Sequence, residues 1–246
     1  MNLNEWFIPM TDMIGIVAFS FCGAMMAIER RLDLFGVLFL GILSSLGGGV
    51  IRDLLLGETP PRFFVSYRWV LASVLCALSV FVAAKYWSGW RRWEVHRRIE
   101  QIANIFDAVG LAAFSVSGVQ LAIAGGHGAN AFLCVFMGMT TGVGGGILRD
   151  MMTREIPYVL KKHVYAVASI AGSLLFWILW RIGMPSEGGV LLSMAVVILI
   201  RILATVFRWS LPRISVPAEE DSLQRTRHMS QEEPSSPEEH TECEGR

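Results

Sequence analysis

Long apolar stretches dominate the chain, and short polar segments separate them. A hydrocarbon core about 30 Å thick is crossed by roughly 20 residues of α-helix. Seven stretches meet that length, and none shows the clear polar stripe of a helix on a soluble protein. Their predicted bounds are residues 9–28, 34–56, 65–87, 102–124, 129–152, 164–182 and 189–207. The pattern predicts an all-α integral membrane protein with seven transmembrane helices.

An internal repeat relates the first three helices to the next three. The residues Asp12, Gly15, Ala18, Phe19, Ser20 and Gly23 recur as Asp107, Gly110, Ala113, Phe114, Ser115 and Gly118. A second block, GGGVIRD at residues 47–53, recurs as GGGILRD at residues 144–150. Because three is odd, the second copy enters the membrane from the opposite side. The sequence therefore predicts two inverted three-helix repeats, residues 9–87 and 102–182, and a seventh helix at residues 189–209.

Basic residues between the helices predict the orientation. The segments on one side of the membrane carry at least 12 lysines and arginines, whereas the other side carries Arg62, Arg68 and Arg181. Since basic loops remain in the cytoplasm, we expect a cytoplasmic C-terminus and an external N-terminus. Residues 213–246 hold nine acidic residues and four arginines, and we predict that they form a disordered cytoplasmic tail.

Composition narrows the class further. Apolar residues make up 53% of the chain and charged residues 17%, against roughly 45–50% and about 25% in soluble domains. The basic residues are scattered between apolar runs, so no nucleic-acid partner is expected, and membrane lipids are the expected surroundings. The four cysteines form no CxxC pair, and no HExxH, GxSxG or Walker motif occurs. We therefore expect no metal, no cofactor and no enzymatic activity.

Two glycine triplets are the first candidate functional feature. They are Gly47, Gly48 and Gly49 in the second helix, and Gly144, Gly145 and Gly146 in the fifth. Each glycine weakens a helix by about 1 kcal/mol relative to alanine. A break would free carbonyl groups that must face protein or water, which would suit a pore. Close packing of helices through small residues is the alternative, and the inverted pairing favours the pore.

Charged residues follow both triplets. Arg52 and Asp53 come after the first triplet, and Arg149 and Asp150 come after the second. Charges at membrane depth tend to be paired or in contact with water. Three interpretations stay open: these side chains line the path, they reach the interface and snorkel, or each arginine forms an ion pair that fixes the short helix after the glycines.

Carboxylates and hydroxyls in the first helix of each repeat are further candidates. Asp12 and Asp107 open these helices, where they would cap the N-terminus or offer a carboxylate to cations. Ser20 and Ser115 follow eight residues later. Their hydroxyls would either line a water-filled path or bond their own backbone.

The duplicated GGGxxRD block, with an Asp-x-x-Gly helix before each copy, resembles a duplicated bacterial family described as glycine-transporter-like. That family is related to the trimeric intracellular cation (TRIC) channels, and the resemblance covers residues 9–209. It implies a homotrimer in the bacterial inner membrane. It also implies a hydrophilic pore in each protomer, lined by the second and fifth helices, which break at the glycines. The residues carried over are those of the two blocks: Gly47, Gly48, Gly49, Arg52, Asp53, Gly144, Gly145, Gly146, Arg149 and Asp150.

The resemblance leaves two functions open. The TRIC relatives imply a monovalent-cation channel, selective for potassium, which is our first expectation. The family label implies a secondary transporter of glycine or a similar small neutral amino acid, which is the alternative. A channel needs one wet path open to both sides, whereas a carrier needs a closed central site and alternating access. No TVGYG-type filter is present, so selectivity would come from the pore shape and its lining dipoles.

Overall fold

The computed structural model describes residues 4–86, 93–161 and 164–207. These residues form nine α-helices and no strand. The helices are α1 (Asn4–Glu29), α2 (Leu34–Leu55), α3 (Arg62–Val65), α4 (Tyr67–Tyr86), α5 (Trp93–Ala122), α6 (Ala131–Met152), α7 (Tyr158–Lys161), α8 (Val164–Arg181) and α9 (Ser186–Val206). A five-residue π-helical segment, Ile123–His127, extends α5. The tail predicted at residues 213–246 lies outside the described residues.

Seven of these helices, α1, α2, α4, α5, α6, α8 and α9, contain a segment long and apolar enough to cross a membrane. This confirms the predicted all-α membrane protein with seven spanning helices. The predicted bounds agree within a few residues, except that α1 begins at Asn4 and α5 at Trp93, before their apolar stretches. An α-helix extends as far as its backbone hydrogen bonds are formed, so its ends need not coincide with the edges of the hydrocarbon core.

The first helices of the two repeats pack against each other in opposite directions. A Cβ built on Gly15 would lie 2.8 Å from the Phe114 ring, and one built on Gly110 would lie 2.6 Å from the Phe19 ring. From Gly15 to Phe19 the residue number rises along α1, while that of the contacting residue on α5 falls from Phe114 to Gly110. The two helices are therefore antiparallel. These reciprocal contacts between repeat-related residues confirm the inverted arrangement.

The second helices of the repeats cross in the same reciprocal manner. A Cβ on Gly48 would collide with the Thr141 carbonyl oxygen of α6, and one on Gly145 would collide with the Ser44 carbonyl oxygen of α2. The third helices also occupy related positions, because α4 packs on α1 and α2 while α8 packs on α5 and α6. Helix α9 packs on α8 and α5, so it extends the second repeat alone.

The predicted breaks at the two glycine triplets are wrong. Helix α2 continues from Leu34 to Leu55 and α6 from Ala131 to Met152, with every glycine of both triplets inside the helix. All six glycines are also buried. The absence of side chains at Gly48 and Gly145 lets the two backbones touch, which is the close-packing alternative.

The predicted helix caps at Asp12 and Asp107 are also wrong. Both residues lie inside their helices, because α1 and α5 begin well before them. The side-chain caps belong instead to α2 and α6, where Asp33 accepts a hydrogen bond from the Gly36 amide at 2.8 Å and Asn130 accepts one from the Leu133 amide at 3.1 Å. Both Asp12 and Asp107 are buried. Of the two roles that the sequence offers them, a carboxylate that attracts cations stays a prediction.

Candidate functional site

Two cavities lie near opposite ends of α1. The first, here called the N-side cavity, has a volume of about 580 Å³ and lies at the N-terminal end of α1. It is lined by Ile8, Pro9, Asp53, Leu56, Glu58, Arg62, Leu121, Ala124, Gly125 and His127. The second, the C-side cavity, has a volume of about 300 Å³ and lies at the C-terminal end of α1. It is lined by Cys22, Met25, Met26, Glu29, Ala103, Asn104, Asp107, Arg149 and Tyr158.

The internal repeat relates these two cavities. Ile8 and Pro9 of the N-side cavity correspond to Ala103 and Asn104 of the C-side cavity at the 95-residue offset that relates Asp12 to Asp107. At the same offset, Leu121 and Ala124 of the N-side cavity correspond to Met26 and Glu29. Since α1 and α5 run in opposite directions, the duplicated sequence places one cavity at each membrane face.

A buried ionic cluster, the N-side cluster, lies beside the first cavity and consists of Asp12, Arg52 and Asp53. Nε and Nη2 of Arg52 both lie 2.8 Å from Oδ1 of Asp53, and Nη1 lies 3.8 Å from Oδ1 of Asp12. Ser117 of α5 donates a hydrogen bond to Asp12. The Arg52 side chain has no exposed surface, and its guanidinium lies 5.6 Å from the centre of the Phe63 ring. The cluster joins α1, α2 and α5.

The corresponding cluster beside the second cavity, the C-side cluster, consists of Asp107, Arg149, Asp150 and Arg201. Nε of Arg149 donates to Oδ1 of Asp150 at 2.9 Å, and Nη1 reaches Oδ1 of Asp107 at 3.4 Å. Arg201 of α9 adds a third contact, from Nη2 to Oδ2 of Asp107 at 2.8 Å. All four side chains are at most 8% exposed. Paired in this way, the charges can remain at membrane depth.

Asp53 and Asp150 also fix the chain after the long helices. Oδ2 of Asp53 accepts the Arg62 amide at 2.9 Å, at the start of α3. Oδ2 of Asp150 accepts the Tyr158 amide at 2.7 Å, at the start of α7. These contacts are the ones expected if each arginine–aspartate pair fixes the chain that follows its long helix. Asp53 and Arg149 line cavities as well, so the path interpretation also has support. The burial of both arginine side chains contradicts snorkelling to the interface.

An apolar layer separates the two cavities. On α1 and α5, the residues between them include Ile16, Phe19, Leu111 and Phe114, all of which are buried in one core cluster. The Phe19 and Phe114 rings have centroids 5.5 Å apart. Phe19 also lies near Gly145 of α6, so the layer reaches the crossing of α2 and α6. In this structure the layer keeps the two cavities apart.

Other predicted path residues lie away from both cavities. Ser20 donates to the Ser73 carbonyl oxygen of α4 at 2.8 Å, and the Ser115 and Ser169 hydroxyl oxygens lie 2.6 Å apart between α5 and α8. Ser20 and Ser115 are fully buried, and neither lines a cavity. The glycine triplets likewise line neither cavity. Gly49 faces Phe63 of α3 and Gly146 faces Tyr165 of α8, while the other four glycines lie where α2 and α6 meet.

Sequence reasoning missed Arg201 and Tyr165. Arg201 is the one charged residue in the apolar run at 188–207, and a lone charge at membrane depth indicates a buried partner. That signal is present in the sequence, although α9 lies outside the repeat. Tyr165 carries no comparable signal, because hydroxyls are common in membrane helices.

Comparison with known families gives a match on both repeats. A family model described as "Glycine transporter" matches residues 9–85 and 104–181. A UPF0126 membrane protein of Deinococcus radiodurans is 41% identical over 170 residues, which cover 68% of this chain and 74% of that protein. The UPF0126 inner membrane protein YadS of Escherichia coli K12 is 32% identical, over 83% of this chain and 95% of that protein.

Solved structures give a second, independent comparison. A structure that addresses conductance through TRIC cation channels superposes with a TM-score of 0.73 and 35% sequence identity, covering 85% of this chain and 98% of that one. The TRIC trimeric intracellular cation channel orthologue from Rhodobacter sphaeroides gives a TM-score of 0.73 and 31% identity, covering 82% and 98%. The described chain thus has the fold of these proteins over almost their whole length.

Proposed function

The chain belongs to the glycine transporter family, and from this premise we propose that it is a cation channel whose path joins the two cavities within each protomer. The observation that carries the proposal is the pair of repeat-related cavities, each in contact with a buried carboxylate–arginine cluster and open near opposite ends of α1. Carboxylates beside a narrow aqueous path attract cations. The solved structures that resemble this chain are described as cation channels, which supports the same function.

The proposed path runs from one cavity to the other between α1, α2, α5 and α6. In this structure Phe19 and Phe114 block it, so conduction requires these rings to separate. The Phe19 ring packs on Gly110 of α5, and the Phe114 ring packs on Gly15 of α1. Because neither glycine has a side chain, each ring can shift a short distance without a collision there. We propose that the triplets at residues 47–49 and 144–146 let α2 and α6 slide over each other during this change.

The finer features of the proposal follow the relatives. We propose selectivity for potassium and a homotrimeric assembly, since the Rhodobacter sphaeroides protein is described as trimeric. We also propose residence in the bacterial inner membrane, since the Escherichia coli relative is described as an inner membrane protein. The N-terminus would lie outside and the C-terminus in the cytoplasm, as the distribution of basic residues predicts.

A carrier of glycine or a similar small neutral amino acid is the second candidate. Two cavities separated by a closed layer, in a protein of inverted repeats, have the geometry expected for alternating access. Arg149 lines the C-side cavity, so the carboxylate of a zwitterion would find a donor there. The family description supports this candidate.

Reconstitution of the purified protein distinguishes the candidates. In planar bilayers with a potassium chloride gradient, a channel gives discrete unitary currents whose reversal potential lies near the potassium equilibrium potential. In proteoliposomes, a carrier gives saturable uptake of labelled glycine without such currents. We expect unitary cation currents. Saturable glycine uptake in a preparation that shows no unitary current would contradict the channel and support the carrier.

A further inference from the structure

The two repeat-related aspartates, Asp12 and Asp107, differ in their ionic partners. Among the described residues, Arg52 alone forms an ion pair with Asp12, from Nη1 to Oδ1 at 3.8 Å, while Ser117 donates a neutral hydrogen bond to the same oxygen. A distance of 3.8 Å lies beyond that of a hydrogen bond. Asp12 therefore has one ion-pair partner within 4 Å, Arg52, and a second cation, Arg62 of the N-side cavity, acts on it over a longer distance.

Asp107 is held on both oxygens. Arg149 and Tyr165 each lie 3.4 Å from Oδ1, and Nη2 of Arg201 lies 2.8 Å from Oδ2. The guanidinium of Arg201 is fixed in turn, since it lies 4.5 Å from the centre of the Tyr165 ring and 5.8 Å from that of Tyr158. A charge-assisted contact of 2.8 Å and two aromatic faces leave Arg201 little freedom to move away.

This difference arises from the seventh helix. Arg201 belongs to α9, which lies outside the duplicated repeats and packs on α5 and α8. With every carboxyl ionised, the N-side cluster holds two carboxylates and one arginine, for a formal charge of −1. The C-side cluster holds two carboxylates and two arginines, for a formal charge of zero. The repeat is thus symmetric in its fold and asymmetric in its buried charge.

We propose that Arg201 is a positioning residue that keeps Asp107 from interacting with permeating cations, so that Asp12 is the carboxylate of this pair that favours cations. The inference rests on the proposed channel function. A carboxylate whose two oxygens already accept hydrogen bonds from cations cannot replace water around a third cation. No arginine among the described residues lies within hydrogen-bond distance of Asp12, so it retains that capacity, and the net negative charge of the N-side cluster raises the local concentration of cations.

Reversal potentials in a potassium chloride gradient test this inference, because the permeability ratio of potassium to chloride does not depend on protein yield. Asp12→Asn should lower this ratio by about three- to tenfold. Arg201→Gln frees Asp107 and should raise the ratio by a similar factor. The double variant Arg201→Gln with Asp107→Asn restores a neutral C-side cluster, and it should return the ratio to the wild-type value.

The conservative variant Arg201→Lys separates charge from shape. It keeps the positive charge but loses the planar guanidinium, so its ratio should stay near that of the wild type. A ratio for Arg201→Lys equal to that of Arg201→Gln would overturn the inference, because shape rather than charge would then matter. An unchanged ratio in Arg201→Gln, or a double variant that stays at the Arg201→Gln value, would overturn it as well.

Thermal unfolding in detergent tests the ion pair without any current. Arg201→Gln should lower the unfolding temperature, and adding Asp107→Asn should recover most of that loss, because no carboxylate is then left unpaired. Independent, additive losses would overturn the inference even if the variants conduct. A wild-type protein without unitary currents would instead contradict the proposed channel function, and the unfolding cycle would still decide whether Arg201 holds Asp107.

Discussion

Single residues in this protein carry charge at membrane depth, and their partners explain why they can. Arg52 has no exposed surface and lies between Asp53 and Asp12. Removing one partner of a buried pair leaves the other charge without compensation. The buried arginines are therefore expected to matter for stability before they matter for permeation.

A substitution at Arg52 measures this effect. Arg52→Gln should lower the free energy of unfolding by about 3–5 kcal/mol, because two buried carboxylates lose their cation. Arg62→Gln, at an exposed residue of the N-side cavity, is the matched control and should change it by less than about 1 kcal/mol. The measurement is thermal unfolding of the purified protein. Equal losses in the two variants would show that the N-side cluster adds nothing to stability.

The sequence identified most residues of the two clusters, because the repeat drew attention to Asp12, Arg52 and Asp53 with their counterparts. Of the two roles it offered for Asp12 and Asp107, the helix cap is wrong, since an aspartate at the start of an apolar run has the same appearance whether the helix begins there or earlier. Arg201 stands out as a lone charge in an apolar run, but its partner depends on where α9 packs, and no local pattern gives that information.

At the scale of helices, the glycine triplets bring α2 and α6 together. Neighbouring glycines in one triplet nonetheless have different surroundings. A Cβ on Gly145 would collide with the Ser44 carbonyl oxygen, whereas the nearest atom to a Cβ on Gly146 is the Tyr165 hydroxyl oxygen at 3.4 Å. Backbone cannot move aside as a flexible side chain can, so the two positions should respond differently to a methyl group.

Alanine substitutions at these adjacent positions test the helix crossing. Gly146→Ala should keep or raise stability, because alanine favours the helix by about 1 kcal/mol over glycine. Gly145→Ala should destabilise the protein despite the same helical gain, since α6 must move away from α2. Unfolding temperatures of the two variants check this. A Gly145→Ala protein as stable as Gly146→Ala would show that the backbones do not touch.

The positions of the spanning helices could be predicted from the sequence because burial in lipid requires long apolar runs. Whether α2 and α6 break at the glycine triplets could not be predicted from the sequence. Three glycines weaken an isolated helix, yet the same glycines permit a close contact with another helix that holds both in place. Only the position of the partner, here Thr141 and Ser44, decides between a break and a crossing.

For the whole molecule, the inverted repeat fixes which loops share a side of the membrane. A reporter fused after Ile28 should be cytoplasmic, and one fused after His127 should be external. Three spanning helices, α2, α4 and α5, lie between these positions, and an odd number of crossings ends on the opposite side of the membrane. Alkaline phosphatase and fluorescent-protein fusions at both positions check this orientation. A cytoplasmic location for the reporter at His127 would contradict the predicted orientation.

The central claim is that one path in each protomer joins the two cavities and that Phe19 and Phe114 close it. The most direct test is the potassium current per folded protein in planar bilayers for Phe19→Ala with Phe114→Ala. Phe35→Ala with Phe132→Ala is the matched control, since these repeat-related rings are 74% and 79% exposed and lie away from the path. We predict a clear rise in this current for the first variant, because the path is open more often, and a wild-type current for the control. A first variant that folds, assembles and conducts no more than the control would contradict the claim.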